Sequence, residues 1–475
     1  MIPLKENTWK GQSSFKSADT ITAIATPSGE GGIGIVRISG SQSIKISAEL
    51  FKPKKPVKEF KSHCLYYGTI INPLNNSPID DGLLTIMKSP HSYTGEDIVE
   101  IHCHGGSLIL QRVLETVLKC GARIAEPGEF TKRAFLNNKM DLAQAEAVID
   151  IIRAKTDLAL EAARKHLSGR LSEKINAAKE DLVNLLCHIE AELDFPDEED
   201  IGSLSNIGIN SRIENSIAAI NNFLSTYEEG KILLNGLKAI IIGRANVGKS
   251  SLLNILLKEE RAVVTPMPGT TRDIIEEVIN IKGIPVRLMD TAGLRETKDA
   301  VEEIGIRFTM ERLKKAQLVL FVVDAAQDDI SEDLKLFEKV ETGKKIIMVF
   351  NKMDIADKYS MDKLTKSFAG RSIVKISARK GNGIDELRNA IYLSAVGQSA
   401  GDVQDVIITN ARHKKSLDKA LDNLKSAQDA IKNDLSREFL ACEIKGAIDC
   451  LGEIIGETTS DDILERIFSQ FCIGK

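Results

Sequence analysis

One octapeptide limits the possible folds of this chain more than any other feature: residues 243–250 have the sequence GRANVGKS, which fits G-x-x-x-x-G-K-S. A buried apolar run precedes it, and an amphipathic segment beginning at Ser251 follows it. A glycine-rich turn between a strand and a helix directs backbone N–H groups and the positive helix end toward a phosphate. Lys249 is expected to contact the β- and γ-phosphates, and the Ser250 hydroxyl to bind Mg²⁺. The segment therefore predicts a P-loop nucleotide site.

Three further motifs follow the P-loop in the order that a GTPase requires. DTAG (290–293), NKMD (351–354) and SAR (377–379) each follow an apolar run typical of a buried strand. A carboxylate at Asp354 accepts from both guanine N1–H and N2–H, a donor pair that adenine does not offer. The four motifs together predict GTP rather than ATP. The predicted nucleotide contacts are Asn246, Val247, Gly248, Lys249, Ser250, Ser251, Thr271, Asp290, Thr291, Ala292, Gly293, Asn351, Lys352, Asp354, Ser377 and Ala378.

The residues around DTAG bear on hydrolysis. A candidate switch, GTTRD (269–273), contains Thr271, which is expected to complete the Mg²⁺ shell begun by Ser250. Ras-like proteins place a glutamine directly after D-x-x-G to orient the attacking water, and this chain has Leu294 there. Because leucine cannot position water, catalysis must come from another carboxylate, a cation or a partner.

The pattern of apolar residues divides the chain into segments. Residues 19–136 alternate short β-rich runs with turns, whereas 137–233 and 396–475 carry apolar stripes with the helical period of 3.6. Between them, 234–395 alternates Val/Ile/Leu runs with amphipathic helices, the pattern of a parallel doubly wound sheet. We predict a multidomain protein: an N-terminal α+β domain, a helical domain in two parts, and an inserted Ras-like P-loop G domain. Residues 1–18 are polar and are expected to be a disordered extension.

Composition excludes several classes of protein. With 475 residues, 43% of them hydrophobic, the chain can build about three domains. A net charge of −5 argues against a globally basic nucleic-acid coat protein, and 5% aromatic residues argue against a stacking platform for single strands. Seven scattered cysteines favour a reducing compartment, and all but Cys472 are interpreted as small core residues. Since no apolar run reaches 18 residues, we expect a cytoplasmic protein without a membrane span.

Several sequence segments outside the GTPase motifs are similar to segments of the tRNA-modification GTPase MnmE (TrmE) family, which the chain therefore resembles. They are GGIGIVRISG (31–40), YTGED (93–97), HCHGG (102–106), PGEFTKRAFLN (127–137), DLAQAEA (141–147) and FCIGK (471–475). The resemblance implies a homodimer that hydrolyses GTP to GDP and phosphate. It also implies a heterotetramer with the flavin-dependent partner MnmG. That complex would add a carboxymethylaminomethyl or aminomethyl group to C5 of the wobble uridine of certain tRNAs.

For the N-terminal domain, the resemblance implies a tetrahydrofolate-binding fold that mediates dimerisation and binds 5-formyl- or 5,10-methylene-tetrahydrofolate. The matching positions are Arg37, Glu100, Lys139 and Lys475. Cationic side chains can pair with folate carboxylates, and Glu100 can accept from the pterin N–H pair. Each position is equally well explained as a surface salt bridge. Cys472 is either a thiol for modification chemistry or a mobile terminal residue.

The G domain resembles potassium-stimulated GTPases that are activated by dimerisation. Asn246, Thr265, Met267 and Thr270 match the K⁺-coordinating positions, and Thr265 and Thr270 also join the nucleotide contacts. A cation there would neutralise charge between the β- and γ-phosphates.

Glu302 matches the water-orienting glutamate of the same family and would supply what Leu294 lacks. Glu302 and Lys249 are therefore the catalytic candidates. The alternative is that Glu302 only lies on the exposed face at the start of a helix.

Other interpretations stay open. The chain would fit a GTPase switch that times ribosome or RNA assembly, or a folate-dependent one-carbon transferase regulated by GTP; the N-terminal strings and the C-terminal tail argue against the first. On a strand, His102 and His104 would share one face and Cys103 the other, which disfavours one common metal ion. The basic run at 52–61 is interpreted as a solvated loop rather than a tRNA contact.

Overall fold

The computed structural model describes residues 19–195, 204–260, 277–289, 312–340, 343–396 and 407–475. The proposed disordered extension at 1–18 lies outside these residues. Contacts divide the chain into two compact units, here called the first and second unit. The first contains the described parts of Met1–Ile149, His166–Leu204 and Asp429–Lys475, and the second those of Asp150–Lys165 and Ser205–Gln428. The five-segment domain division stays a prediction.

The first unit contains a seven-stranded sheet in the order β3-β4-β5-β6-β2-β1-β7. Its elements are β1 (Ile21–Ile24), β2 (Gly31–Ser39), α1 (Ser43–Leu50), β3 (Phe51–Pro53), β4 (Leu65–Ile71), β5 (Pro78–Met87), β6 (Ile98–Gly105), α2 (Ser107–Lys119), β7 (Arg123–Ile124) and α3 (Glu129–Leu136). Neighbouring strands are antiparallel except for β1 and β7, which are parallel. This mixed sheet with helices agrees with the predicted α+β architecture.

Side chains along β6 alternate between the buried face of the sheet and the opposite face. Val99, Ile101 and Cys103 are buried, while the side chains between them lie on the opposite face. On α2, the buried residues Leu110 and Val113 follow the helical period and join the same apolar core. One face of the central strands is therefore covered, and the other is available for Glu100 and His102.

Five helices follow along the chain: α4 (Leu142–Arg153), α5 (Asp157–Leu167), α6 (Arg170–Asp194), α7 (Asn206–Ser225) and α8 (Tyr227–Asn235). The buried side chains of α6 include Leu171, Ile175, Leu182, Leu185 and Ile189. They form the apolar stripe that the sequence predicts.

The second unit contains a six-stranded sheet in the order β13-β12-β11-β8-β10-β9. Its elements are β8 (Leu237–Ile242), α9 (Lys249–Glu260), β9 (Glu277–Ile281), β10 (Ile284–Met289), β11 (Leu318–Asp324), α10 (Ser331–Val340), β12 (Lys345–Asn351), α11 (Lys358–Ser367), β13 (Ser372–Lys375) and α12 (Ile384–Val396). All neighbours are parallel except β9 and β10. All seven residues of β11 are buried, as expected for a strand covered on both faces.

The five strands that the sequence predicts in this sheet are parallel to their neighbours, and β9 adds an antiparallel edge strand that was not predicted. This edge strand pairs antiparallel with β10 through a tight turn in which Lys282 and Gly283 both have positive φ, at 51° and 87°. Such a turn joins antiparallel neighbours directly, without a crossover helix. The rest of the sheet keeps the doubly wound pattern, so the P-loop and both base-recognition motifs lie at the carboxyl ends of parallel strands.

Three helices complete the chain: α13 (Ala411–Lys432), α14 (Arg437–Ile455) and α15 (Asp461–Phe468). Within the first unit, α14 packs along α6. The apolar face of α15 packs with Leu142 and Ala145 of α4, and Phe471 beyond its end joins the same cluster. This packing anchors the C-terminal residues. Within the described ranges, no helix is both long and apolar enough to span a bilayer.

Candidate functional site

The phosphate loop joins β8 to α9 and contains two residues in the left-handed region. Asn246 has φ 61° and Gly248 has φ 98°. A Cβ at Gly248 would collide with the Asn351 side-chain amide, so glycine is required at that position. Lys249 Nζ donates to the carbonyl oxygens of Gly243 (2.8 Å) and Arg244 (2.5 Å). The loop thus has the curled backbone and the helix N-terminus that bind phosphate.

Asn351 connects the phosphate loop to the base-recognition motifs. Its buried amide donates from Nδ2 to Val247 O (2.8 Å) and accepts at Oδ1 from Ala378 N (2.9 Å). Asp354 Oδ1 accepts from Ser377 Oγ (2.8 Å). We call these five residues the strand-end network. It brings together parts of three of the sequence motifs at the same edge of the sheet.

The electrostatics of the strand-end network suit a hydrogen-bond acceptor. The Ser377 hydroxyl lowers the pKa of Asp354, and Lys380 and Arg379 act in the same direction. The carboxylate is therefore ionised at neutral pH and has a fixed orientation. An ionised carboxylate accepts two parallel N–H bonds, as guanine N1–H and N2–H would donate them.

A pair that the sequence analysis did not identify lies beside this network. Lys352 Nζ contacts Asp324 Oδ2 at 2.6 Å, and Asp324 is almost fully buried at the end of β11. The sequence could have indicated this pair, because Asp324 and Lys352 lie at the carboxyl ends of two neighbouring parallel strands, which meet at one edge of the sheet. The pair fixes Lys352, whose backbone φ is 64°.

The predicted metal ligand in the described part of the loop is accessible. Ser250 is exposed at the start of α9, as is Asn246 within the loop. An exposed hydroxyl at this position can bind Mg²⁺ that is shared with phosphate oxygens and water. Further predicted residues lie outside the described part of the chain: Thr265, Met267, Thr270, Thr271, Asp290, Thr291, Ala292, Gly293, Leu294 and Glu302.

In the first unit, Arg37 and Glu100 face each other across β2 and β6. Arg37 Nε and Nη2 lie 2.9 and 2.8 Å from Glu100 Oε1, and His102 Nε2 lies 3.3 Å from Glu100 Oε2. The guanidinium carbon is 6.0 Å from the centre of the Tyr93 ring and 5.6 Å from that of Phe130. The hydrogen bond with His102 and the charge of Arg37 hold the pKa of Glu100 below its ordinary value despite burial.

The C-terminal tail completes this group, which we call the Arg37 cluster: Arg37, Glu100, His102, Gly474 and Lys475. Arg37 Nη1 donates to Gly474 O at 3.3 Å. Gly474 has φ 96° and packs so closely on the backbone of Ile24 that a Cβ would collide with it. Burial, with the nearby charge of Arg37, lowers the pKa of the Lys475 ammonium. The cluster therefore connects strands β2 and β6 of the N-terminal sheet to the C-terminal tail.

The four predicted folate positions do not all lie in one group. Arg37, Glu100 and Lys475 lie together, whereas Lys139 Nζ donates to Pro90 O (3.0 Å) and its stem lies beside Gly95. Lys139 thus supports the loop that also carries Tyr93. Sequence reasoning assigned no role to Tyr93, Phe130 or His102; the alternation of Glu100 and His102 on one strand face was the signal for the last.

A buried ionic network supports the same loop. Arg133 is 9% exposed and contacts Glu129 (3.0 Å), Glu96 (3.1 Å) and Asp19 (2.8 Å). Burial would raise the pKa of Glu129, but bonds from Arg123, the Glu126 backbone and Arg133 hold it below its ordinary value. A carboxylate and guanidinium paired in this way are both charged and hydrogen-bonded to each other, and the contact with Glu96 connects the network to this loop.

The cysteines and histidines depart in part from expectation. Cys103 is buried, but Cys64, Cys187 and Cys442 are exposed, so the interpretation of the six as core residues is wrong for these three. Strand position and helix face decide their exposure, and neither follows from the residue type.

His104 Nδ1 contacts Asp80 (2.8 Å), whereas His102 contacts Glu100. No metal-binding group of three or more His, Cys, Asp or Glu is found among the residues described.

Two family models match the chain. The model described as MnmE helical domain matches residues 142–472, and the model of the GTP-binding protein TrmE N-terminus matches residues 20–139. Two proteins named tRNA modification GTPase MnmE are close relatives. The one from Thermoanaerobacter pseudethanolicus is 47% identical over 459 residues and the one from Moorella thermoacetica 48% over 463, each covering 96% of this chain and 99% of its own. The G domain of the T. maritima FeoB iron transporter covers 34% of this chain and 98% of its own, with 28% identity and a TM-score of 0.26.

Proposed function

The chain belongs to the tRNA modification GTPase MnmE family, and from that premise we propose how its GTPase activity is used. With the flavin-dependent partner MnmG, in a heterotetramer, it adds a carboxymethylaminomethyl or aminomethyl group to C5 of the wobble uridine of certain tRNAs. A folate provides the one-carbon unit. The chain acts as a cytoplasmic homodimer, joined through the N-terminal domain.

The Arg37 cluster is the observation that carries this proposal. A GTPase switch for RNA assembly needs one ligand site, and the phosphate loop with the strand-end network already provides it. The cluster is a second site, with partly buried charges on Arg37 and Glu100 and two aromatic rings nearby. Partly buried charges that are paired and lie near aromatic rings favour a ligand with both ionic and flat ring groups. A folate has both.

In the G domain, Asp354 recognises guanine while Ser377 Oγ and Asn351 hold the surrounding loops in place. Lys249 and the N–H groups at the start of α9 bind the phosphates. Mg²⁺ bound by Ser250 and Thr271 would neutralise phosphate charge. Asp290, Thr291, Ala292 and Gly293 would sense the γ-phosphate.

For hydrolysis we propose that Glu302 orients the attacking water, since Leu294 cannot. K⁺ held by Asn246, Thr265, Met267 and Thr270 would stabilise the charge that develops between the β- and γ-phosphates. The requirement for dimerisation then has a physical reason, because a partner copy can order the loops that complete this arrangement.

In the Arg37 cluster, tetrahydrofolate would supply a one-carbon unit when bound. Glu100 has a lowered pKa and accepts hydrogen bonds from a pterin-type N–H pair. Arg37 and Lys475 provide cations for the folate carboxylates, and Lys139 supports the Tyr93 loop from the side. Cys472 is exposed next to this cluster and is a candidate thiol for the modification step.

The experiment is a modified-nucleoside profile of tRNA from a deletion strain complemented with variants of this chain. We expect wild type to restore the modified wobble uridine and Arg37→Ala to fail while still hydrolysing GTP. Arg112→Ala, an exposed arginine on α2, is the matched control and should restore it fully. A profile that does not change on deletion would support the assembly-switch alternative. Full restoration by Arg37→Ala would remove the cluster from the reaction.

A further inference from the structure

Arg244 is the second residue of the phosphate loop, and its side chain contacts residues that follow β11. Its guanidinium contacts the start of α10: Nη2 lies 2.7 Å from Glu332 Oε2, and Nη1 lies 3.2 Å from Asp333 Oδ2. Nη1 also lies 3.4 Å from Asp329 O and 3.4 Å from Gln327 Oε1. One planar group thus connects the loop to four positions after β11.

The two carboxylates differ in surroundings. The Glu332 side chain is 67% exposed, whereas the Asp333 side chain is 2% exposed. Asp333 Oδ1 is buried and has no hydrogen-bond partner among the residues that the structure describes, whereas Oδ2 is paired with Arg244. Burial raises the pKa of Asp333, and the Arg244 contact opposes that rise. Removing the guanidinium would leave a carboxyl group buried and unpaired, which is costly.

The same residue holds Lys249 through its backbone. The Arg244 and Gly243 carbonyl oxygens accept from the Lys249 ammonium, at 2.5 and 2.8 Å. A shift of the backbone at these two residues therefore moves the groups that orient Lys249. Lys249 contacts the phosphates of both GDP and GTP in P-loop proteins, so such a shift changes ground-state and transition-state binding alike.

We propose that Arg244 is a positioning residue of the GTPase: its ion pair with buried Asp333 fixes the start of the phosphate loop, and thereby sets the affinity for both GDP and GTP. It does not act on the hydrolytic step. Glu332 contributes little, because an exposed ion pair is screened by water.

The test measures dissociation constants for GDP and a non-hydrolysable GTP analogue, together with kcat and KM, on full-length variants. We expect Arg244→Met to raise both dissociation constants about tenfold, with kcat at saturating GTP within about twofold of wild type. Asp333→Asn should have a similar effect, and the double variant should lose no more than either single change, because one interaction is removed in all three. Arg244→Lys should be intermediate, since lysine keeps the charge but not the fork.

Two controls separate this role from a general loss of stability. Glu332→Gln should change the affinities by less than about twofold. Lys414→Met removes an exposed helical ion pair to Asp418 in the same unit and should leave affinities and kcat unchanged. If Asp333→Asn does not fold, the affinities of Arg244→Met and Arg244→Lys for GDP and the GTP analogue still test the role of Arg244. Unchanged nucleotide affinity in Arg244→Met, additive losses in the double variant, or a fall in kcat with intact affinity would each overturn the proposal.

Discussion

The strand-end network and the Arg37 cluster are built from very different sequence distances. Asn351 joins residues 27 and 104 positions away, all within one sheet of parallel strands. Arg37 joins Glu100 at 63 positions and Gly474 at 437. The first site depends on loops that the sheet topology brings together. The second depends on the C-terminal tail, which follows α15, the helix that packs against α4.

Because of this difference, we expect the two sites to respond to different changes in the chain. The strand-end network keeps its geometry as long as the six-stranded sheet folds, because its residues lie at or shortly after the carboxyl ends of β8, β12 and β13. The Arg37 cluster requires the tail to be in place, and Gly474 allows it through its positive φ and the absence of a Cβ. Changes in the G domain should therefore affect GTP chemistry, and changes at the tail should affect the cluster only.

The largest expected effect is in the G domain. If Glu302 orients water, Glu302→Ala should lower kcat by about 10²- to 10⁴-fold, because the carboxylate acts in the transition state. Binding of GTP should hardly change, since Lys249 and Asp354 are intact. Stopped-flow binding and single-turnover hydrolysis in K⁺ buffer measure both quantities. A parental rate in Glu302→Ala, with a loss in Glu303→Ala, would move the role to the neighbouring carboxylate.

The next effect concerns base choice in the strand-end network. Asp354→Asn should weaken GTP by about 10- to 100-fold and favour xanthosine triphosphate, because the amide no longer accepts both guanine donors. Competition calorimetry with the two nucleotides gives the ratio. The neighbouring surface variant Asp357→Asn is the control and should keep the preference for GTP. An unchanged GTP affinity in Asp354→Asn would show that this carboxylate does not contact the base.

A smaller effect concerns the cation. Turnover should be about tenfold or more faster in K⁺ than in Na⁺ at equal ionic strength, since a correctly sized ion substitutes for an arginine finger. Asn246→Ala should remove the difference, whereas Asn254→Ala on the exposed face of α9 should retain it. Equal rates of the wild type in the two salts would exclude the K⁺ assignment.

The smallest effect is a pH dependence in the Arg37 cluster. The pKa of Glu100 is lower in the folded chain than its ordinary value of 4.5. Its stabilising contribution is therefore complete above about pH 4.5 and is lost as the pH falls through the lower, folded pKa. Glu100→Gln should unfold at lower urea concentration than wild type at pH 7, and this gap should narrow toward pH 3. Lys119→Gln on the surface of α2 should show no such pH-dependent gap.

The sequence predicted the positions of candidate site residues best where these residues form a short continuous motif. The P-loop, NKMD and SAR motifs each follow a strand, so their positions at one sheet edge follow from the topology of parallel strands. The antiparallel β9 was missed because its hairpin turn, with positive φ at Lys282, carries a weak local signal. The pairs Lys352–Asp324 and Arg244–Asp333 were missed because each joins two different elements, and side-chain direction there depends on tertiary packing.

The Arg37 cluster was predicted only through family resemblance. Nothing local in a Cys-Ile-Gly-Lys tail indicates that Gly474 will contact Arg37, because that contact depends on how two helices and a strand pack. Three of the four predicted folate positions lie in the cluster, and Lys139 contacts the neighbouring loop at Pro90 O; its role toward folate stays a prediction. The exposed cysteines differ from expectation for the same reason, since burial is a property of the fold.

If the chain has two separate ligand sites, isothermal titration of one set of samples with two ligands will show them most directly. Wild type, Arg37→Ala and Asp354→Asn are each titrated with 5-formyl-tetrahydrofolate and with a non-hydrolysable GTP analogue. We expect Arg37→Ala to lose folate binding and keep the nucleotide, and Asp354→Asn to bind the nucleotide about 10- to 100-fold more weakly and keep the folate. Folate binding by Arg37→Ala at the wild-type affinity would contradict this expectation.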